Sequence, residues 1–547
     1  MHEIALAPDA DAFGLLADGS TSLAGVLTES RRLREAGTRV RWRVPLRPGR
    51  VHRLEGIFAL ARDEGFEAIL GEPDAALDPD ERRFAWDFVR YRLLEEGAGR
   101  LPGAERERLL ALERRLVAEP LPGDGRPFAA DVAHVLVDAA RGVLQWLAAL
   151  PFRGGDAQKP VRNALLIGAY GGDHIGDAAI LGGVLLRLHA RHGTGQAVLL
   201  SQRPDHTRHL VAMLDVPVAV RVEGYRHEAI RRGLDEADAV VFAGGPLTEI
   251  PKQLVRHLYT AACARRRDMP FWIEGVGVGP FKRPPSEWIG RRLLRMAERI
   301  EVRTSDDAAQ PQVRSLAPRV GRDPAFDYLA SRGETLTRVP DADRAWLDHL
   351  LAGSEGRPLV ALNVRPIDHL FTEGTPAAVD RAEHTRSVEE RFLEELVRGM
   401  RLFSERAESA ERANGPPRFV FYPMNAIQFG RSDLRSAWQI ARRLAAGGGG
   451  VDFRVWQGDA SIDGVVALPR RVDVAVAMRF HAAIYALSQD RPVVGIDYRP
   501  GAKDKVGYLL DDFGQGENCT RIDLLDGEWL AERLAALVVL PSGGEAS

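Results

Sequence analysis

The sequence predicts an α/β protein with two consecutive doubly wound, Rossmann-like domains after a mostly helical or mixed α/β N-terminal domain. From residue 161 onward, short apolar runs alternate with helical patterns, and this rhythm restarts after a polar, helix-like stretch at 341–353. The preceding residues are instead rich in Arg, Leu and Glu. We therefore expect an N-terminal domain over residues 1–155, a first Rossmann-like domain over 161–340 and a second over 355–540.

The N-terminal region carries apolar residues at helical spacing over 79–96 and 105–119, with charges between them. Two short apolar stretches, 40–44 and 66–70, are candidates for strands, so a mixed α/β region stays open. No motif with recognisable chemistry occurs there, and the role of this region is left open.

Both α/β halves contain a series of short apolar runs that predict buried parallel strands. In the first half these runs are Ala164–Ile167, Ala197–Leu200, Val218–Val222, Ala239–Phe242, Phe271–Ile273 and Glu301–Arg303. In the second half they are Leu359–Val364, Phe419–Tyr422, Phe453–Trp456, Val465–Leu468, Val472–Ala477 and Pro492–Ile496. Ligands of such sheets bind beyond the carboxyl ends of the strands, so the motifs that directly follow these runs are the candidate sites.

The composition excludes several classes of function. The chain has 547 residues, 28% of them charged, and a net charge of -3, which gives no electrostatic footprint for nucleic acid. Its two cysteines, Cys263 and Cys519, exclude a disulfide framework and a Cys-ligated zinc site within one chain. The N-terminus lacks the pattern of a signal peptide, and no apolar window is long enough to span a membrane. We expect a cytoplasmic protein with no membrane span, and peripheral membrane contact stays open.

A glycine-rich turn follows the first strand of the first half and contains Gly168, Gly171 and Gly176. Glycines let backbone N–H groups approach a ligand closely, and the N-terminus of the following helix favours a negative group. Asp177 has two interpretations, which both stay open. It is either the N-cap of that helix or a hydrogen-bond acceptor for a substrate hydroxyl.

Two further glycine turns follow strands of the first half. Gly244 and Gly245 end one strand, and Gly277 lies in the alternating run Gly275–Pro280. Pro280 stands where a dinucleotide fingerprint needs the loop to continue, which disfavours a nicotinamide site. The alternative for both turns is tight packing without a ligand. Glu274 is a candidate to line the cleft, although a buried carboxylate needs a partner.

Arg303 follows the next predicted strand, and its guanidinium suits a phosphate or carboxylate because it can bind both oxygens at once. The alternative is an ion pair with Asp306 or Asp323. For Arg303 taken by itself, the ion pair is the favoured interpretation.

Arg479 and His481 form the strongest motif, at the end of a strand predicted to be buried and just before a helix of small apolar residues. Alternation along an extended segment would place both side chains on the same side. A permanent cation beside a titratable imidazole suits an anionic substrate that needs proton transfer. The next strand leads to Lys503, in a chain whose only lysines are Lys159, Lys252, Lys282, Lys503 and Lys505. This rarity suggests use of Lys503 as a phosphate-binding cation, and the alternative, an ordinary surface position, stays open.

Taken in order, these motifs resemble the polysaccharide pyruvyl transferase family over about residues 161–515. The matching stretches are Ile175-Gly176-Asp177, Gly244-Gly245, Gly275–Pro280, Arg303, Asp323-Pro324-Ala325, Arg479-Phe480-His481-Ala482, and Asp497-Tyr498 followed by Lys503. The resemblance implies two Rossmann-like halves in a glycosyltransferase-B-like arrangement. It also implies an enzyme that transfers the enolpyruvyl group of phosphoenolpyruvate to a sugar, closes a pyruvate ketal and releases phosphate.

The resemblance assigns phosphoenolpyruvate binding to Arg479 and His481. On this hypothesis Arg479 and Lys503 clamp the anionic groups and Arg303 is a weaker third cation. His481 is a general acid/base or a phosphate donor, and Asp177 faces the acceptor sugar. Phosphoenolpyruvate is a co-substrate, and neither a cofactor nor a metal is expected.

Two other functions stay open at this point. Two Rossmann-like domains also suit a nucleotide-sugar-dependent glycosyltransferase, and a catalytically silent carbohydrate-binding protein could keep the same fold. The sugar or glycan acceptor, its linkage, a lipid carrier and the oligomeric state are left open as well.

Overall fold

The computed structural model divides the chain into two compact units, and each is described by itself. One unit comprises Gly123–Glu334, and the other comprises Met1–Pro122 together with Thr335–Ser547. The predicted domain limits at 155, 340 and 355 stay predictions. The structure describes residues 2–5, 30, 32–37, 40–46, 67–73, 77, 82, 85, 89, 103–116, 160–170, 175–247, 251–279, 281, 284–333, 339–367, 381–409, 415–425, 433–446, 450–456, 460–499 and 503–538.

The N-terminal region contains a three-stranded parallel sheet of order β1-β2-β3, so its mixed α/β character is confirmed. Its elements are β1 (His2–Ala5), β2 (Val40–Leu46), β3 (Glu67–Pro73) and the helix α1 (Gly103–Leu116). The buried indole of Trp42 donates a hydrogen bond to Ser30 Oγ at 2.8 Å. Arg108 on α1 donates to the carbonyl of Leu70 at 2.8 Å and so ties the helix to β3.

The unit Gly123–Glu334 contains a parallel sheet of order β11-β10-β9-β7-β4-β5-β6, with β8 paired to β9. Its strands are β4 (Asn163–Ile167), β5 (Gln196–Ser201), β6 (Ala219–Gly224), β7 (Ala239–Ala243), β8 (Pro246–Leu247), β9 (Phe271–Val278), β10 (Arg299–Val302) and β11 (Arg319–Val320). Its helices are α2 (Ile175–His192), α3 (Pro204–Val211), α4 (His227–Glu236), α5 (Pro251–Arg266), α6 (Pro284–Met296), α7 (Ser305–Ala309) and α8 (Pro324–Ser331). Every apolar run predicted in this half overlaps a strand of the sheet.

This strand order is the doubly wound Rossmann order, which confirms the predicted fold class for the first half. The direction of winding reverses between β4 and β7, which are neighbours in the sheet. The loops that follow these two strands therefore lie at the topological switch point, where ligands of open α/β sheets bind.

Helices α2 and α8 of this unit approach each other very closely. A Cβ at Gly183 would lie 1.8 Å from the carbonyl oxygen of Pro324, and one at Gly182 would lie 2.3 Å from the Tyr328 ring. Glycine at these positions lets α2, which starts beside the switch point, pack directly against α8.

We predict that Gly183→Ala lowers the free energy of unfolding by about 1–3 kcal/mol, because backbone must move to admit the methyl group. Gly195→Ala is the matched control, since a Cβ there meets nothing within 4 Å. Chemical denaturation measures both variants. Equal stability of the two would contradict the close helix contact.

His257 on α5 is a buried histidine whose ring nitrogen Nδ1 lies 2.9 Å from the Tyr225 hydroxyl oxygen. Its ring also packs edge-on against Phe242 of β7, with 4.9 Å between ring centroids. Burial, together with the charge of Arg256, lowers the pKa of His257 from its usual 6.5 to about 3.

This depressed pKa predicts a loss of stability in mild acid. Below the unfolded-state pKa, His257 is protonated in the unfolded chain but stays neutral in the folded protein. The free energy of unfolding therefore falls as the pH falls. Between about pH 7 and about pH 4, the wild-type protein should lose more unfolding free energy than His257→Gln, by up to about 1.4 kcal/mol per pH unit. Parallel denaturation curves at each pH measure this difference, and identical pH dependence would contradict it.

The second Rossmann-like sheet lies in the other unit and has the order β14-β13-β12-β15-β16-β17, all parallel. Its strands are β12 (Leu359–Asn363), β13 (Arg418–Phe421), β14 (Asp452–Val455), β15 (Val474–Ala477), β16 (Val493–Asp497) and β17 (Cys519–Arg521). Its helices are α9 (Asp341–Leu351), α10 (Arg381–Ser409), α11 (Asp433–Ala446), α12 (Ile462–Arg470), α13 (Phe480–Leu487), α14 (Lys505–Asp512) and α15 (Gly527–Leu537). This order is again the Rossmann order, with its switch point between β12 and β15.

One predicted strand of this half is wrong, because Val465–Leu468 lies inside the helix α12. The Ser461 hydroxyl caps this helix by accepting from the backbone N–H of Gly464 at 3.0 Å, and Asp343 accepts a bond from the same hydroxyl. Every residue of the run is buried, so no polar position shows the helical period. A short, fully apolar run does not distinguish a strand from a buried helix.

Within the described residues, no helix has both the length and the apolar character required to cross a membrane.

Candidate functional site

The switch point of the first sheet is built by two loops in direct backbone contact. Ala169, after β4, donates its N–H to the carbonyl of Gly244, after β7, at 3.2 Å. A Cβ at Gly168 would lie 1.9 Å from the carbonyl oxygen of Ala243, so only glycine permits this approach. The predicted residues Gly168, Gly244 and Gly245 are therefore brought together.

Tyr170 lies directly on Gly244, a position that sequence reasoning did not find. Gly244 has a φ of +84°, and a Cβ there would lie 2.6 Å from the Tyr170 hydroxyl oxygen. Tyr170 is buried, and burial together with the negative charge of Asp177 raises the pKa of its phenol. The space above Gly244 is thus filled by the protein's own side chain.

Asp177 is half-buried and lies in the first turn of α2, which starts at Ile175. Its interpretation as the N-cap is wrong, since the helix already includes the two residues before it. A carboxylate in this turn is favoured by the positive end of the helix dipole. A Cβ placed on Gly245 would lie 4.0 Å from Asp177 Oδ1, which puts the carboxylate beside the glycine pair. Gly176 is buried next to it on α2, while Gly171 falls outside the described residues.

Arg303 directly follows β10 and covers Gly277 of β9. A Cβ at Gly277 would lie 2.6 Å from Arg303 Nη2, so the glycine makes room for the guanidinium. Arg303 is buried, with Nη1 3.5 Å from Asp323 Oδ2 and Nε 3.8 Å from Asp307 Oδ2. The ion pair with Asp323 is confirmed as a contact of this side chain, and Asp307 adds a second carboxylate. Burial raises the pKa of Asp323, and the Arg303 charge opposes this shift.

Glu274 on β9 is buried and has the partners that a buried carboxylate requires. It pairs with Arg299, whose guanidinium lies 4.6 Å from the Trp272 ring centroid, and Arg191 Nη1 lies 3.6 Å from its Oε2. These arginines make Glu274 part of an ion-pair cluster on the sheet.

The switch point of the second sheet carries a buried ion pair between Arg479 and Asp433. Arg479 Nε donates to both carboxylate oxygens of Asp433 at 2.8 Å, and Nη2 donates to Oδ1 at 2.5 Å. Asp433 is 0% exposed and Arg479 is 6% exposed. The strand β15 delivers Arg479 as predicted, but its guanidinium faces a carboxylate of the chain itself.

Asp433 is held by other groups as well as by Arg479. The backbone N–H groups of Met424 and Asn425 donate to its Oδ2 at 3.0 and 3.1 Å, and Asn363 Nδ2 lies 3.4 Å from the same oxygen. Sequence reasoning missed Asp433, because an acid at the start of an amphipathic helix is an ordinary feature of helix N-termini.

His481 is buried in the first turn of α13, and its ring packs edge-on against Phe480 with 5.4 Å between ring centroids. Arg479 has extended backbone angles, but the helix begins at Phe480. The expectation that strand alternation places Arg479 and His481 on the same side is therefore wrong, because His481 lies on the helix and not on the strand. His481 follows the geometry of a helix.

Lys503 is 38% exposed and forms an ion pair with Asp511 on α14. Its ammonium also lies 5.7 Å from the Tyr508 ring centroid. Nearby, the buried carboxylate of Asp497 accepts backbone N–H groups from Asp504 at 2.8 Å and Gly507 at 3.0 Å. These bonds hold the backbone of Asp504, the residue after Lys503, and of Gly507.

The described residues contain no group of three or more His, Cys, Asp or Glu side chains arranged to hold a metal ion.

Residues 174–337 match the polysaccharide pyruvyl transferase family. The matched segment contains Asp177, Gly244, Gly245, Gly277 and Arg303, which confirms the predicted resemblance over this part of the chain. Arg479, His481 and Lys503 lie beyond the segment matched to the pyruvyl transferases.

Solved structures similar to the chain include nucleotide-sugar enzymes. The UDP-GlcNAc 2-epimerase from Methanocaldococcus jannaschii is 12% identical, with 70% of this chain and 94% of that chain covered and a TM-score of 0.43. The ADP-heptose LPS heptosyltransferase II of E. coli is 14% identical, with 69% and 98% covered and a TM-score of 0.35. The comparison with curated proteins finds no match.

The ion pair of Arg303 yields a stability prediction. Arg303→Met should lower the free energy of unfolding by about 3–5 kcal/mol, because Asp323 then stays buried without this cation. Adding Asp323→Asn to the same protein should restore part of that loss. The exposed pair Arg291–Glu287 is the control, and Arg291→Met should change stability by about 0.5 kcal/mol or less. The midpoints of chemical denaturation measure these changes. A stability loss in the double variant that equals the sum of the two single losses would contradict the pairing.

Proposed function

We propose that this protein is a pyruvyl transferase that uses phosphoenolpyruvate as donor and a sugar of a polysaccharide or glycan precursor as acceptor. The observation that carries this proposal is the family match over residues 174–337, which includes Asp177, Gly244 and Gly245 at the switch point of the first sheet. The products would be a pyruvate ketal and phosphate. We also propose that the enzyme acts in the cytoplasm and needs no cofactor.

The second sheet supplies the proposed donor site. Arg479 donates hydrogen bonds from Nε and Nη2 to Asp433, and within the described residues no hydrogen bond involves its Nη1. A guanidinium donates to carboxylate and phosphate oxygens, and the N-terminal end of α13 favours negative charge. Lys503, on an exposed side chain, is the proposed second cation. Arg303 belongs to the other unit, where it is paired with two carboxylates.

The chemistry of ketal formation defines what these residues have to do. The methylene carbon of phosphoenolpyruvate takes up a proton, and one sugar hydroxyl adds to the neighbouring carbon and loses its own proton. A second hydroxyl then adds to the same carbon as the bond to the phosphate oxygen breaks, and the proton of this hydroxyl ends on the departing phosphate. Both sugar oxygens are then bound to one carbon. The proposed role of His481 is to move a proton in these steps or to donate to the leaving phosphate.

The first sheet supplies the proposed acceptor site. Asp177 is half-buried at the switch point beside Gly245, where a carboxylate can accept a hydrogen bond from a sugar hydroxyl. The glycines of this edge bring backbone close to the same position. A lipid-linked acceptor is compatible with this proposal.

The test combines a phosphate-release assay with a panel of sugar acceptors. We expect the wild-type protein to release phosphate from phosphoenolpyruvate only when an acceptor is present, and His481→Ala to lose at least about 100-fold in this rate. His349→Ala, which changes an exposed histidine of α9, is the matched control and should keep the wild-type rate.

Two results would count against the proposal. Near-normal turnover by His481→Ala, with an unchanged melting temperature, would remove the role of His481. Saturable binding of a nucleotide sugar without any response to phosphoenolpyruvate would instead indicate a glycosyltransferase.

A further inference from the structure

We propose that Asp433 is the positioning residue of the donor site, which fixes the Arg479 guanidinium so that Nη1 is the end left for the substrate anion. This inference rests on the proposed function. It adds a residue that the motifs of the sequence do not contain, and its basis is the geometry of one buried ion pair.

The ion pair locks one edge of the guanidinium. Both oxygens of Asp433 accept from Arg479 Nε, and Oδ1 also accepts from Nη2. Because a guanidinium is planar, holding this edge fixes the direction of the opposite amino group as well. Nη1 is the donor that takes no part in the pair.

The carboxylate is itself fixed before any ligand binds. Met424 and Asn425 donate backbone N–H groups to its Oδ2, and Asn363 Nδ2 lies 3.4 Å from it. These contacts hold the Asp433 carboxylate, and the carboxylate in turn holds the guanidinium of Arg479. A preorganised cation binds its anion without first losing side-chain freedom.

The pair also stands at the right place in the sheet. Asn363 ends β12, and Arg479 follows β15 after Ala477, which pairs with Asn363 in register. These strands flank the switch point of the second sheet, the edge at which doubly wound sheets bind ligands. A buried ion pair used only for stability has no need to occur there.

The negative charge of Asp433 opposes the binding of an anion, so the direction in which anion affinity changes without this charge tests the proposal. Asp433 offsets the charge of Arg479, so a variant without this negative charge would bind an anion more tightly if charge alone mattered. If orientation dominates, the same variant binds the anion more weakly.

The decisive experiment measures phosphate release by wild-type and Asp433→Asn proteins over a range of phosphoenolpyruvate concentrations. We expect KM for phosphoenolpyruvate to rise about tenfold or more while kcat changes much less. The reason is that a mispositioned guanidinium weakens substrate binding more than it slows the chemical step. Asp433→Glu, which keeps the charge and moves the carboxylate, should raise KM as well. It also serves as the second variant if Asp433→Asn does not fold.

Asp452→Asn is the matched control. Asp452 starts β14 at the amino end of the same sheet and binds the buried Arg418, with Nε and Nη2 each 2.9 Å from its Oδ2. Losing this pair should lower the melting temperature without changing KM for phosphoenolpyruvate, because the amino end is remote from the ligand edge.

The outcomes separate this inference from the proposed function. A wild-type protein that never consumes phosphoenolpyruvate overturns the proposed function. An active wild type whose Asp433→Asn variant keeps or lowers KM overturns only the positioning role. An equal rise of KM in Asp433→Asn and Asp452→Asn also overturns it, since the effect would then follow from general destabilisation.

Discussion

The buried pair between Asp433 and Arg479 is the interaction on which the second half of the molecule depends. Removing two charges from water is costly, and the mutual attraction repays that cost only when geometry is good and the remaining hydrogen-bonding capacity is used. Both conditions hold, because the guanidinium binds through two nitrogens and two backbone N–H groups complete the shell of the carboxylate. Asn363, the last residue of β12, and Arg479, two residues after the end of β15, are thereby tied to Asp433 at the start of α11.

The two sheets have the same topology, but different groups occupy their switch points. In the first sheet, glycines let the chain fill the space with its own groups, since Tyr170 occupies the position above Gly244 and Arg303 the one above Gly277. These contacts match the packed-turn interpretation of the glycine motifs. Asp177, which is half-buried, lies beside the glycine pair at that edge.

The sequence was sufficient to predict most of the strands, because a parallel strand buried on both faces is a short apolar run between turn residues. The same property misassigned 465–468, where a buried helix shows an equally unbroken apolar run. Asp433 was beyond reach for a different reason. Its partner Arg479 is 46 residues away in the chain, and the local sequence around either residue does not indicate that the two are paired.

The distribution of charge argues for a division of labour between the two sheets. Arg303 faces two carboxylates in the first sheet, and Asp177 at the switch point of that sheet is a further carboxylate. A neutral, hydroxyl-rich ligand suits such an edge better than a phosphate does. In the second sheet a guanidinium keeps one amino group outside its ion pair at the start of a helix, which favours an anion. The proposed function requires two such edges, one for a donor that carries two acidic groups and one for an acceptor that carries hydroxyls.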